Sequence, residues 1–237
     1  MIKRPKLKNP VLIEGLPGAG FVANIAALQL INELKAVKFA EIYSPAFQDV
    51  VVSVKGGKAR SPTNELYYYQ PRRGDGLIIL YGNTQALTAY GQYEICGRIL
   101  DAAEDLGCKL VACMGGFRRD KVSDHPRVYC TATDSTTLAN VLKFDTNVAQ
   151  VHIAGAAGLL VGLAKLRNMR GFCLLVETLG VYPDAVAAEA VLGVLCKVLK
   201  INIDLSRLSV AARGTEKILD SAGFLGAQRK PTYPTYV

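Results

Sequence analysis

The chain has 237 residues, 50% of them hydrophobic, and a net charge of +8 from 28 basic and 20 acidic side chains. That length holds one large domain with a substantial core, or at most two, and its longest weakly charged stretch, 153–164, falls short of the roughly 20 residues that span a bilayer. The basic excess, gathered partly at Lys3, Arg4, Lys6, Lys8, Arg229 and Lys230, permits an acidic partner, but no nucleic-acid module accompanies it.

The opening MIKRPKLKNP leads into no apolar run of signal-peptide length, so a soluble, cytoplasmic protein is expected, with neither membrane nor nucleic acid as partner. Val11, Leu12 and Ile13 then form a short apolar run bounded by a glycine turn, which predicts a buried strand. Gly15, Pro17, Gly18 and Gly20 allow a tight reversal. Ala27, Leu30, Ile31 and Leu34 recur at helical spacing, with Ile25 and Leu28 widening the same face. This strand–loop–helix unit, VLIEGLPGAGFVAN at its start, organises the chain. N–H groups at a helix start attract anions. The loop nevertheless reads as a structural turn. A phosphate loop needs Lys followed by Ser or Thr, and Phe21-Val22 stand there; the order G-x-x-G-x-G is also not the dinucleotide fingerprint.

Lys38 to Tyr43 predicts a second strand, Val50 to Val54 a third followed by a Lys55-Gly56-Gly57-Lys58 turn, and Glu65 to Gln70 a fourth rich in tyrosine. Together they suggest a small antiparallel addition. Leu77 to Tyr81 reads as a buried strand. The helix after it carries Ile95, Cys96, Ile99, Leu100, Ala103 and Leu106 on one side and stops at Gly107. Leu110 to Met114 is another buried strand ending at Gly115-Gly116, 117–126 a polar loop, and Val128 to Thr131 a strand. Gly155 to Leu166 predicts an apolar helix and Phe172 to Glu177 a buried strand. Pro183 opens a helix at its favoured first position, with Asp184 near the positive end. That helix, Asp184 to Leu199, is apolar on almost every side, which places it deep in the core or at a subunit interface. Strands alternating with helices make this an α/β protein with a mixed, largely parallel central sheet flanked by helices. Residues 1–225 are expected to form a single domain, and 226–237 a flexible C-terminal tail, because Pro231 and Pro234 disfavour helix there.

Ligands in open parallel sheets bind beyond the carboxyl ends of the strands. Glu14, Asn83, Gln85, Arg118, Glu177 and Thr178 all follow apparent strand ends and form the candidate crevice, where carboxylates and an arginine could serve acid–base chemistry or hold a nucleoside or nucleotide. The plainer reading is loop caps and ion pairs. His125 reads as a loop residue and His152 as a structural one, since no nucleophile or metal pattern accompanies either. The six cysteines show no zinc spacing, so no metal and no cofactor is expected.

Five blocks carry a resemblance: GLPGAGFVAN, YGNTQALTAYGQYEICGRILDAAEDLG, PRVYCTATD, IAGAAGLLVGLAKLRNMRGFCLLVET and YPDAVAAEAVL. In this order, and covering most of the chain from Val11 to about Leu208, they resemble the proteasome assembly chaperone 2 family, above all its archaeal single-domain members, which have also been labelled as ATP-grasp superfamily proteins. The resemblance implies a fold similar to purine nucleoside phosphorylases, a homo-oligomer, and a non-enzymatic role in assembling or capping the proteasome core particle. Some archaeal members end in hydrophobic-Tyr-any, a tripeptide that docks between α-ring subunits. Here Thr235-Tyr236-Val237 stands at the end: Tyr236 matches the tyrosine, Val237 supplies the carboxylate, and Thr235 departs by being polar. The resemblance thus implies proteasome α-subunits as partner. The alternative from the residues themselves is a nucleoside- or nucleotide-binding enzyme that uses the strand-end crevice.

Overall fold

In the computed structural model, which describes residues 4–54, 56–205 and 207–208, the first apolar run becomes β1 (Val11–Gly15), buried along its whole length. The glycine loop passes through a 3-10 turn at Ala19–Phe21 into α1 (Val22–Leu34). There follow β2 (Val37–Ile42), β3 (Val52–Val54), β4 (Lys58–Arg60), β5 (Asn64–Tyr69), β6 (Leu77–Gly82), α2 (Ala89–Asp105), β7 (Leu110–Arg118) and β8 (Val128–Ala132). The described elements end with α3 (Ser135–Val141), β9 (Asn147–Val148), α4 (Gly155–Leu166), β10 (Arg170–Thr178) and α5 (Ala185–Leu199).

Eight strands form one sheet in the order β2-β5-β6-β1-β7-β10-β8-β9, while β3 and β4 make a separate hairpin. The centre, β6-β1-β7-β10, is parallel. Antiparallel β5 and β2 extend one side and antiparallel β8 the other. The mixed, largely parallel sheet and the antiparallel middle region are therefore as the sequence predicts.

Side chains alternate across the sheet with period two. Ile13, Ile79, Phe172 and Leu174 join α1 residues Ile25 and Leu30 and α5 residues Val191 and Leu195 in one core. Leu12, Ile78, Leu80 and Leu175 join Ile95 and Ile99 of α2 and Leu160 and Ala164 of α4 in the other. Burying each such side chain contributes roughly 1.5–3 kcal/mol. The apolar character of α5 is largely used inside the chain, where Ala187, Ala188, Val191, Leu192 and Leu195 are fully buried.

Three local readings change. β7 does not stop at Met114: Gly115, Gly116, Phe117 and Arg118 stay paired with Leu175, Val176, Glu177 and Thr178 of β10. Backbone hydrogen bonding continues a strand through glycine when the neighbour supplies partners, and a side chain at Gly116 would overlap the Ala19 carbonyl. Pro183 precedes α5 instead of opening it. Asp184 is the N-cap, its side chain accepting from Ala187 N–H at 2.9 Å. The segment α3–β9 has no counterpart in the sequence reading, although Asp134 caps α3 through Thr137 N–H at 2.8 Å. All six cysteines are buried and free.

Candidate functional site

β1, β7 and β10 run parallel, so their carboxyl ends open together. A crevice of about 460 Å3 lies there, within the range of small-molecule pockets, roughly 300–1,000 Å3. Of the six crevice residues expected from the sequence, Glu14, Gln85 and Arg118 line it. Asn83, Glu177 and Thr178 do not.

Glu14 is 2% exposed. It sits on the face of β1 shared with Leu12, toward α2 and α4. Its Oε1 accepts the Leu16 N–H at 2.8 Å. Its Oε2 is buried without a hydrogen bond. Burial pushes the carboxyl up to about 7, against the opposing pull of the Leu16 and Met114 backbone N–H groups. A carboxyl in this state can give or take a proton near neutrality. The neighbouring Cys113 and Cys173 thiols are themselves held well above their usual range, first by burial and then by the Glu14 charge.

Gln85 is a bracket. Its Nε2 donates to the Pro17 carbonyl at 2.6 Å, and its Oε1 accepts from Ala156 N–H at 2.9 Å and from Gln92 Nε2 at 3.0 Å. It thereby fixes the glycine loop against the start of α4. The N-cap residue of that start, Ala154, gives no side-chain cap of its own, and Gly155 (φ 74°) and Ala157 line the crevice. Arg118, exposed, stands at the rim with His152, also exposed. His152 is therefore a crevice residue and not a structural one. The signal that could have found it was a polar residue just ahead of a glycine-started helix. His125 lies in a loop as expected.

The other three have structural work. Asn83 turns to β5's approach, its Oδ1 accepting Thr63 N–H at 2.9 Å. Glu177 is opposed by burial, but Tyr129 OH at 2.9 Å, Arg127 N–H and the Arg119 charge hold its carboxyl below the usual range. Thr178 donates to Asp184 Oδ2 at 2.7 Å. Asp184 N–H in turn donates to the Gly20 carbonyl at 2.9 Å. The glycine loop is thus pinned from the α5 side, as a structural turn would be; Phe21 closes it in the left-handed region, with its N–H on the Gly18 carbonyl at 2.9 Å. Asn24, which the sequence reading passed over, is buried and ties the ends of β1 and β6 by donating to the Gly15 and Gly82 carbonyls at 3.1 and 2.7 Å.

Among the described residues, no group of three or more His, Cys, Asp or Glu is placed to hold a metal ion. No described helix is long and apolar enough to cross a membrane. Thr235, Tyr236 and Val237, and the whole 226–237 tail, lie outside the described residues.

Comparison with known proteins gives matches over nearly the whole chain. The profile of the PAC2 family matches residues 12–222. An uncharacterized protein of Methanocaldococcus jannaschii is 36% identical over 217 residues, covering 90% of this chain and 83% of the relative. The crystal structure of Pyrococcus furiosus PbaB, described as an archaeal proteasome activator, is 38% identical with a TM-score of 0.83, covering 93% of this chain and 96% of PbaB. Pyrococcus furiosus PbaA, described as an archaeal homolog of proteasome-assembly chaperone, shares the fold at 23% identity, with a TM-score of 0.78 over 95% of this chain and 97% of PbaA. These matches give the ATP-grasp label no support.

Proposed function

This chain belongs to the PAC2 family, and from that premise we propose that it is a proteasome assembly chaperone or core-particle binding protein, acting without catalysis in the cytoplasm. One observation carries the reading: 38% identity, over 93% of the chain, to a protein described as a proteasome activator. The partner is the proteasome α-ring. The folded body is followed by residues 226–237, which dock through Thr235, Tyr236 and Val237. An aromatic side chain with a terminal carboxylate is a recognised way for a short extended peptide to bind. Tyr236 fills an apolar pocket and the Val237 carboxylate meets a lysine. The polar Thr235 weakens each tail, and a homo-oligomer compensates by presenting several at once.

Exposed apolar side chains support self-association: Leu87, Tyr90 and Tyr93 are 63%, 82% and 58% exposed at the start of α2. The test compares the intact protein with a form lacking Tyr236 and Val237 in a pull-down with assembled α-rings, with sedimentation as the control for oligomeric state. Binding should be lost while the oligomer persists. Undiminished binding by the truncated oligomer would move the decisive contact to the folded body.

A further inference from the structure

The crevice holds a combination that the proteasome reading does not use. At its floor is a carboxyl that is 2% exposed and has one oxygen, Oε2, without a hydrogen bond. A buried acceptor left unpaired is unfavourable, and a ligand with an N–H group removes that penalty. At its rim the N-cap residue of α4, Ala154, offers no side-chain cap. Helix N–H groups and the helix dipole favour an anion there. Gln85 occupies the Ala156 N–H, while Gly155 and Ala157 face the cavity. Arg118 and His152 stand beside them, and Arg118 has no ion-pair partner among the described residues. Between floor and rim the walls are apolar, from Leu16, Met114, Leu175 and Ile153.

Polarity therefore runs in one direction, from an acceptor inside, through an apolar slot, to a cationic mouth. The reverse orientation is unfavourable, because it sets an anion against Glu14. We propose that this crevice binds a heteroaromatic acid, with a ring N–H on Glu14 Oε2 and a carboxylate or phosphate at the start of α4 beside Arg118 and His152. The glycine loop, whose Leu16, Gly18 and Ala19 also line the crevice, is held in shape through its carbonyls, Pro17 by Gln85 Nε2, Gly18 by Phe21 N–H and Gly20 by Asp184 N–H.

The experiment is isothermal titration of the full-length protein, at a pH above about 7 where Glu14 is ionised and Oε2 is an acceptor, with two probes, indole-3-acetate for the carboxylate and UMP for the phosphate. Each is paired with its ring-N-methylated form and its neutral parent. At least one acid should bind about tenfold tighter than its parent, and Arg118→Ala should remove about that advantage, as for one charge-assisted contact. Methylation of the ring nitrogen should weaken binding to the native protein about tenfold, because it leaves Glu14 unpaired again. The Glu14→Met variant, which has no acceptor, should bind both forms alike. Should that variant fail to fold, the methylated probes on the native protein still decide. Binding by only one acid identifies the anion. Absence of binding by both acids at millimolar concentration overturns the proposal. So does binding that is indifferent both to Arg118→Ala and to ring methylation.

Discussion

Replacing Glu14 by Gln tests the central electrostatic statement about the crevice without ligand. In the folded chain burial raises the carboxyl from 4.5 to about 7. Across that window the folded state holds its proton and the unfolded state has released it. Because the folded state binds more protons, stability falls as pH rises, from its full value below 4.5 to its minimum above about 7. At about 1.4 kcal/mol per tenfold, the gap between the two values corresponds to about 3 kcal/mol. Gln has nearly the same shape, keeps an acceptor for Leu16 N–H and does not titrate. Urea denaturation of both proteins, followed by circular dichroism, gives the difference in unfolding free energy at each pH. Subtraction removes groups common to both, including Glu177, whose lowered value gives the opposite slope at lower pH. The native protein should lose about 3 kcal/mol relative to Glu14→Gln as pH rises through that window. A difference that stays flat within about 1 kcal/mol would mean that Glu14 is solvated, and the account of the crevice floor would fail.

Gly15→Ala should destabilise by roughly 1–3 kcal/mol or more, since the new Cβ overlaps Ala27 Cβ and presses on the Ala23 carbonyl at 3.0 Å; a lower urea midpoint with unchanged slope checks this, and adding Ala27→Gly should restore part of the loss. Asp184→Ala removes the cap on Ala187 N–H and the partner of Thr178, for about 1–2 kcal/mol. Asp184→Asn keeps a capping oxygen and should lose less; equal losses would remove the cap from the explanation. Arg167→Met breaks the 2.7 and 2.8 Å pairs with Asp101 and Glu104, yet both partners reach solvent and the midpoint should move by less than about 1 kcal/mol of stability.

Much of the sheet was legible because parallel strands leave long apolar runs. Val11–Ile13, Leu77–Tyr81 and Phe172–Val176 are buried on both faces, and a strand that must be apolar on both faces looks like little else. α2 was equally plain, since Ile95, Cys96, Ile99, Leu100 and Ala103 hold one face of a 17-residue helix. α3 was missed because seven residues carry too few turns to show a period, although Asp134 before Ser135 was a usable capping signal. β7 was cut short because Gly115 and Gly116 signal a turn locally, whereas their partners on β10 are some sixty residues away.

The same division holds at the crevice. Sequence alone determined that polar residues stand where apolar strands end, and so brought Glu14, Asn83, Gln85, Arg118, Glu177 and Thr178 to attention together. Only the tertiary structure decided which of them share a space. Glu14 is 2% exposed at the floor of a crevice that Met114, Leu16 and the α4 start also line, and burial, not residue type, is what shifts its proton affinity. Asn83 and Thr178 turn away because Thr63 and Asp184, reached only through folding, offer better hydrogen bonds. His152 enters because α4 carries its N-terminus over the sheet. Local pattern reports what each residue can do; the register of β1, β7 and β10 decides what it meets.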